Sequence, residues 1–163
     1  MKIIKYSLIC VALLTGVASC KKDPATLADH KPDIPVIVTN YTDLRPSFTV
    51  QTSRAVGTFS FNLEIPASSG RSIKEITKVV SSSGPGGLLT SAANYIAAPI
   101  PGSGNKVTFS SSLAEWTTKT GAAVPPNNAI NAVELPLQFY IKLTLDDNST
   151  LITEPLRVLV LAP

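Results

Sequence analysis

Histidine, cysteine and formal charge are all scarce in this chain of 163 residues, and each scarcity removes a class of chemistry. There are two cysteines, Cys10 and Cys20, and one histidine, His30. Cys10 lies inside an apolar N-terminal run, so Cys20 is left without a partner and no intrachain disulfide is expected. Such a domain must rest on its hydrophobic core. His30 stands in a polar stretch between Pro24 and Pro32, where nothing holds an imidazole rigidly against a nucleophile or a metal. Ser–His and Cys–His catalysis and imidazole–thiolate metal sites are therefore not expected, and neither is a metal or another cofactor. Charged side chains make up 15% of the chain and the formal net charge is +3. That is no electrostatic footprint for nucleic acid, which is not expected as a partner.

What is present begins with an address. Lys2 and Lys5 precede an apolar stretch from Tyr6 to Ala18, which ends in Val17-Ala18-Ser19-Cys20. The stretch is too short to span about 30 Å of hydrocarbon as a stable helix, so residues 1–19 read as a secretory signal. Its removal takes Lys2 and Lys5 away and leaves 12 basic against 11 acidic side chains. A small residue just before a cysteine, with a branched apolar residue three positions before it, resembles the bacterial lipobox. The resemblance implies cleavage before Cys20, acylation of its thiol and anchoring in the outer membrane. Each buried CH₂ of the lipid contributes about 0.8 kcal/mol. Cys20-Lys21-Lys22-Asp23 resembles, in part, the surface-export signal of Bacteroidota lipoproteins, which implies display at the cell surface ahead of the periplasmic side.

Residues 20–33 are polar, carry two prolines and show no apolar period, so they read as a flexible tether. A folded domain is expected over 34–163. Strand signals follow at 35–39 and 46–52. The clearest is 57–65, where Phe59, Phe61, Leu63 and Ile65 alternate with Thr58, Ser60, Asn62 and Glu64. Residues 72–81 fit either a helical stripe or a β-branched strand, and the strand is favoured. The glycine- and proline-bearing stretch 82–104 reads as a long surface excursion, with a short strand expected at 93–97. A strand at 106–110 leads to Ser112-Leu113-Ala114-Glu115-Trp116-Thr117, whose serine and glutamate spacing predicts a capped helical turn.

The end of the chain carries the strongest pattern. Leu135, Leu137, Phe139, Ile141, Leu143 and Leu145 alternate up to the polar turn Asp146-Asp147-Asn148-Ser149, and Leu151–Leu161 returns as a strand. This predicts an all-β, antiparallel immunoglobulin-like β-sandwich of seven or eight strands with one short helix, preceded by a signal peptide and a flexible tether. The closing hairpin resembles the terminal strands of immunoglobulin-like domains in Bacteroidota surface lipoproteins, over residues 35–162. The chain departs from the disulfide-bonded members by lacking a cysteine pair. Trp116 also follows the short helix instead of sitting on an early core strand.

Few residues offer chemistry. Asp43, Glu64, Glu75, Glu115, Glu134, Asp146, Asp147 and Glu154 are the acids from which a two-carboxylate hydrolase would have to draw its pair. Asp146, Asp147 and Asn148 lack the spacing of a helix-loop calcium site. The glycine clusters at 84–87 and 102–104 match no nucleotide fingerprint. Asn40-Tyr41-Thr42 and Asn148-Ser149-Thr150 fit the N-glycosylation pattern, a match expected to be chance in the bacterial protein that the lipobox resemblance implies. Aromatic rings remain, and Tyr95, Trp116 and Tyr140, with Tyr41 beside them, are the candidates for stacking on a sugar or anchoring a protein. The competing reading has Trp116 plugging an end of the sandwich and Tyr95 covering an edge. The expected function is a non-enzymatic, lipid-anchored binding or accessory module, with a glycan or an outer-membrane protein as partner. An envelope spacer and a small carboxylate-dependent hydrolase are the alternatives.

Overall fold

Period-two alternation decides most of the architecture. The computed structural model describes residues 34–43, 47–90, 94–126 and 132–162. The signal, Cys20, the tether and His30 lie outside them. Among the described residues there are ten strands: β1 (Ile37–Val38), β2 (Thr49–Ser53), β3 (Thr58–Glu64), β4 (Ile73–Ser82), β5 (Ile100–Pro101), β6 (Lys106–Ser112), β7 (Val133–Glu134), β8 (Gln138–Leu145), β9 (Thr150–Ile152) and β10 (Arg157–Leu161). The one α-helix among the described residues, α1, spans Leu113–Thr120. No helix among these residues is long and apolar enough to cross a membrane.

The strands form a sandwich-like, all-β fold. One layer has the order β1-β3-β6, antiparallel throughout. The other holds β5-β4-β8-β9, continued through the Phe139–Leu156 bridge towards β2-β10-β7. The two layers meet through their inward rows. Phe61 and Phe109 stack in parallel at 6.4 Å, and each lies within 6 Å of Phe139 from the opposite layer, at 5.7 and 5.6 Å. The alternation of β3 is realised as expected: Phe59, Phe61 and Leu63 are buried, while Thr58, Ser60, Asn62 and Glu64 line the other face. The segment 72–81 is a strand, pairing with β8 from Ile73–Leu145 to Ser82–Gln138.

Three features differ from the sequence expectation. Of the segment 93–97, Ala93 lies outside the described residues and Asn94 to Ala97 is irregular and not a strand; the short strand of this excursion is β5. Each long arm of the closing hairpin is broken, β7 from β8 around Pro136 and β9 from β10 around Pro155. Proline has no N–H to give to a ladder, so both arms lose their pairing there. The breaks let one hairpin serve two sheets, β8 and β9 beside β4, β7 and β10 beside β2. Finally, β2 runs parallel to β10, from Thr49–Arg157 to Ser53–Leu161, against the otherwise antiparallel pattern. The broken arms raise the number of strands above the seven or eight read from the sequence.

The helix forms where its cap was expected. Ser112 has an extended backbone and its hydroxyl accepts the Glu115 N–H at 3.0 Å. The reciprocal half of the capping box is replaced, because the Glu115 carboxylate turns to the Ser111 hydroxyl and to Lys119. Gly121, at φ 70°, ends the helix in a left-handed conformation that favours glycine.

Candidate functional site

Each of the three rings picked out for ligand contact is sealed inside the fold. Trp116 is 0% exposed, and Tyr95 and Tyr140 are 5% exposed. Trp116 lies on the buried side of α1 and donates its indole N–H to the Ser81 hydroxyl at 2.9 Å. Tyr140 faces away from the main core, as its phase required, but Val80 and Leu88 bury it. The turn Pro85–Leu88 folds back to deliver Leu88, which the glycine-rich sequence did not reveal. Tyr95 reaches in from its irregular segment and packs edge-on against Phe109 and Phe139, at 5.7 and 5.3 Å. Ligand stacking by these three rings is thereby corrected to core packing, because no ring face is left for a sugar. Tyr41 is exposed at 44%, with one edge against Phe48.

The candidate place for a ligand is a cleft of about 560 Å³, where Val50 and Phe59 join a set of polar side chains. Asn40 and Thr42 follow β1, Gln51 comes from β2, Thr58 and Ser60 from β3, Ser110 and Ser112 from β6, and Glu115 from α1. The antiparallel register places Thr58 opposite Ser112 and Ser60 opposite Ser110, which sets four hydroxyls side by side. The Asn40 carboxamide fixes one wall. It donates to the Ser60 carbonyl and accepts the Asn62 N–H, both at 2.9 Å, and so stands in for a peptide unit beyond the end of β1.

Behind the cleft runs a chain of hydrogen bonds. The Ser111 hydroxyl donates to the Glu115 carboxylate at 2.9 Å, so the Tyr95 hydroxyl, 2.7 Å from Ser111, must be the donor to it. Lys119 pairs with Glu115 at 2.8 Å, donates to the Tyr95 carbonyl and lies 4.6 Å from the centre of the Tyr95 ring. The Lys119 bond, aided by Ser111, holds the Glu115 carboxyl below the usual glutamate range against the opposing effect of burial. Burial pushes the Tyr95 phenol up to about 12; the Ser111 bond opposes this and the Glu115 charge adds to it. An acid held this low is a weak base towards the Ser111 hydroxyl, since an effective general base titrates near the working pH.

Four of the other acids are committed elsewhere. Glu64 pairs with Lys106, Glu134 with Arg157, and Asp146 and Asp147 with Arg71. The Asp147 carboxyl is held below the usual range, chiefly by the Ser149 hydroxyl and N–H. Among the described residues, no group of three His, Cys, Asp or Glu side chains is placed to hold a metal ion. The sequence reading did not pick out Asn40, Ser60, Ser111 or Lys119 as ligand-contacting residues. Only the Ser112–Glu115 spacing hinted at this place, and it did so as a helix cap. No family model matches the chain, and neither curated proteins nor solved structures gave a match.

Proposed function

We propose that this protein is a non-enzymatic binding module of the cell envelope, anchored in the outer membrane through acylated Cys20 and displayed at the surface, with a neutral glycan as its ligand. The observation that carries the ligand is the lining of the polar cleft, where hydroxyls and carboxamides converge beside a single carboxylate. Such polar groups exchange hydrogen bonds with a polyhydroxylated molecule, and Val50 and Phe59 add apolar surface for the faces of its rings. Glu115 accepts hydrogen bonds in its charged form, which are stronger than neutral ones. The hydrolase reading has less behind it. A carboxylate pair needs one acid with a raised pKa, whereas Glu115 and Asp147 are both lowered. Burial of the three rings favours the spacer as second reading.

Titration calorimetry of the full chain in detergent against neutral polysaccharides tests the ligand. Ser60→Phe would fill the cleft from the outer face of β3, and is expected to abolish the heat of binding while leaving the melting temperature in place. Failure of every polysaccharide to bind would leave the spacer. Fatty-acid labelling of the wild type against Cys20→Ser tests the anchor, and an unlabelled wild type would overturn it.

A further inference from the structure

The outer face of β4 and β8 carries two lysines that no acid neutralises. Val80 stands opposite Tyr140, and Leu88 covers both on the side of the sheet turned away from the main core. Two positions along each strand, with no register shift between, Lys78 stands opposite Lys142 and so shares that face. Like charges directly opposite one another on a sheet are destabilising. Lys78 donates to the Thr90 carbonyl, which brings no charge to offset its own. The Lys142 ammonium has no hydrogen-bond or ion-pair partner among the described residues, and Glu75, opposite Thr144, pairs with neither lysine.

Apolar side chains frame the pair. Ile152 of β9 stands opposite Lys142 from the other side and is 36% exposed. Leu89 precedes the residue that receives Lys78. At 79% it is the most exposed large apolar side chain among the described residues.

We infer that this face docks on an anionic lipid bilayer, with Lys78 and Lys142 against lipid phosphates and Leu89 among the headgroups. The inference rests on the proposed lipid anchor, and magnitude selects the occupant. A lysine beside an anionic bilayer favours the bound state about fivefold, so the pair supplies about thirtyfold. That is too little to capture a free partner, but it is enough to orient a domain already held at the surface, where contact is intramolecular. A second copy of the chain would set the same two lysines against each other. The 14 residues of 20–33 extend to about 50 Å at most, which exceeds the spacing of about 10 Å between stacked sheets. The lipid therefore does not dictate which layer lies down; the charges do. The hydroxyls of the cleft lie on the outer face of the opposite layer, so a domain resting on β4 and β8 holds the cleft towards the medium.

A bimane dye on Leu89→Cys, in the full acylated chain, tests the docking. Flotation on vesicles of phosphatidylcholine alone reports the anchor, whatever the face does. Dye emission is expected to shift to the blue on vesicles of phosphatidylcholine and phosphatidylglycerol in equal parts. The shift should vanish in high salt and in the double variant Lys78→Gln with Lys142→Gln. The same dye on Thr108→Cys, exposed on β6 of the opposite layer, is expected to stay unshifted. A chain that floats without a shift at Leu89 overturns the inference and leaves the anchor standing, and a chain that does not float overturns both. A shift that is equal on neutral vesicles, survives loss of both lysines or is matched at Thr108 also overturns it. So does a shift produced on neutral vesicles by soluble polyphosphate, which would give the lysines to a soluble anion.

Discussion

The indole N–H of Trp116 donates to the Ser81 hydroxyl at 2.9 Å, tying α1 to the end of β4. The only tryptophan of the chain is thus a structural bolt, fully buried and polar-satisfied. Trp116→Ala is expected to cost about 3–5 kcal/mol, the range for emptying a large aromatic site. Ser81→Ala should cost about 1–3 kcal/mol, because it leaves the buried N–H without an acceptor. Equilibrium urea unfolding measures both. If Trp116→Ala unfolded at the wild-type midpoint, the bolt would be refuted.

The sequence showed strands wherever burial on one face left an alternating record, as in β3. It also showed the start of α1, because the bond from the Glu115 N–H to the Ser112 side chain is local. Contacts made across the fold left no such record. Whether Tyr95 is covered depends on Phe139, 44 positions away in the numbering, and on Ser111, 16 away. Tyr140 is covered by Leu88, delivered by a turn whose glycines signalled only a loop. The broken hairpin was hidden because Leu135 to Leu145 keeps its alternation through Pro136, while proline removes only a hydrogen bond. The cleft was illegible for a similar reason: hydroxyls read as the wet face of a strand until the register sets four of them together.

Tyr95 offers a spectroscopic test of the chain of hydrogen bonds. Its phenol is pushed up to about 12, so the folded state holds that proton beyond the ordinary tyrosine value of 10.0. Between those values the native state binds more protons than the unfolded state, so stability falls as pH rises through this window. Absorbance titration of phenolate should show a late step that is missing in Tyr95→Phe. Removal of the hydroxyl is expected to cost about 1 kcal/mol at neutral pH. A wild type without the late step would remove the buried donor.

Glu115 has the opposite sign. Its folded pKa lies below the unfolded value, so its contribution is fully present above the ordinary glutamate range. It is lost as the pH falls through the lowered folded value. The pair with Lys119 is partly open to solvent, which limits its worth to about 0.5 kcal/mol. Glu115→Gln should melt slightly below the wild type at neutral pH, and the two should converge in acid. A difference that stayed constant with pH would show that the carboxylate charge is not what stabilises this corner.

Among the described glycines, Gly102 is the one least able to accept a side chain. A Cβ there would lie 2.0 Å from the Ile73 carbonyl oxygen and 2.8 Å from its carbon. Both are backbone atoms of β4, so neither can swing aside. The Gly102 N–H also donates to the Lys74 carbonyl at 2.8 Å, which fixes the close approach. Gly102→Ala must therefore push β5 off β4, at a cost of about 3 kcal/mol. Gly86→Ala is the matched control, since its Cβ would meet nothing within 4 Å. The control is expected within about 0.5 kcal/mol of the wild type. Urea midpoints at unchanged slope separate the two. The polar cleft is lined from β2, β3, β6, α1 and the residues after β1, so folded Gly102→Ala should keep whatever affinity the cleft has. Loss of binding without loss of stability would move the ligand to the β4–β5 edge.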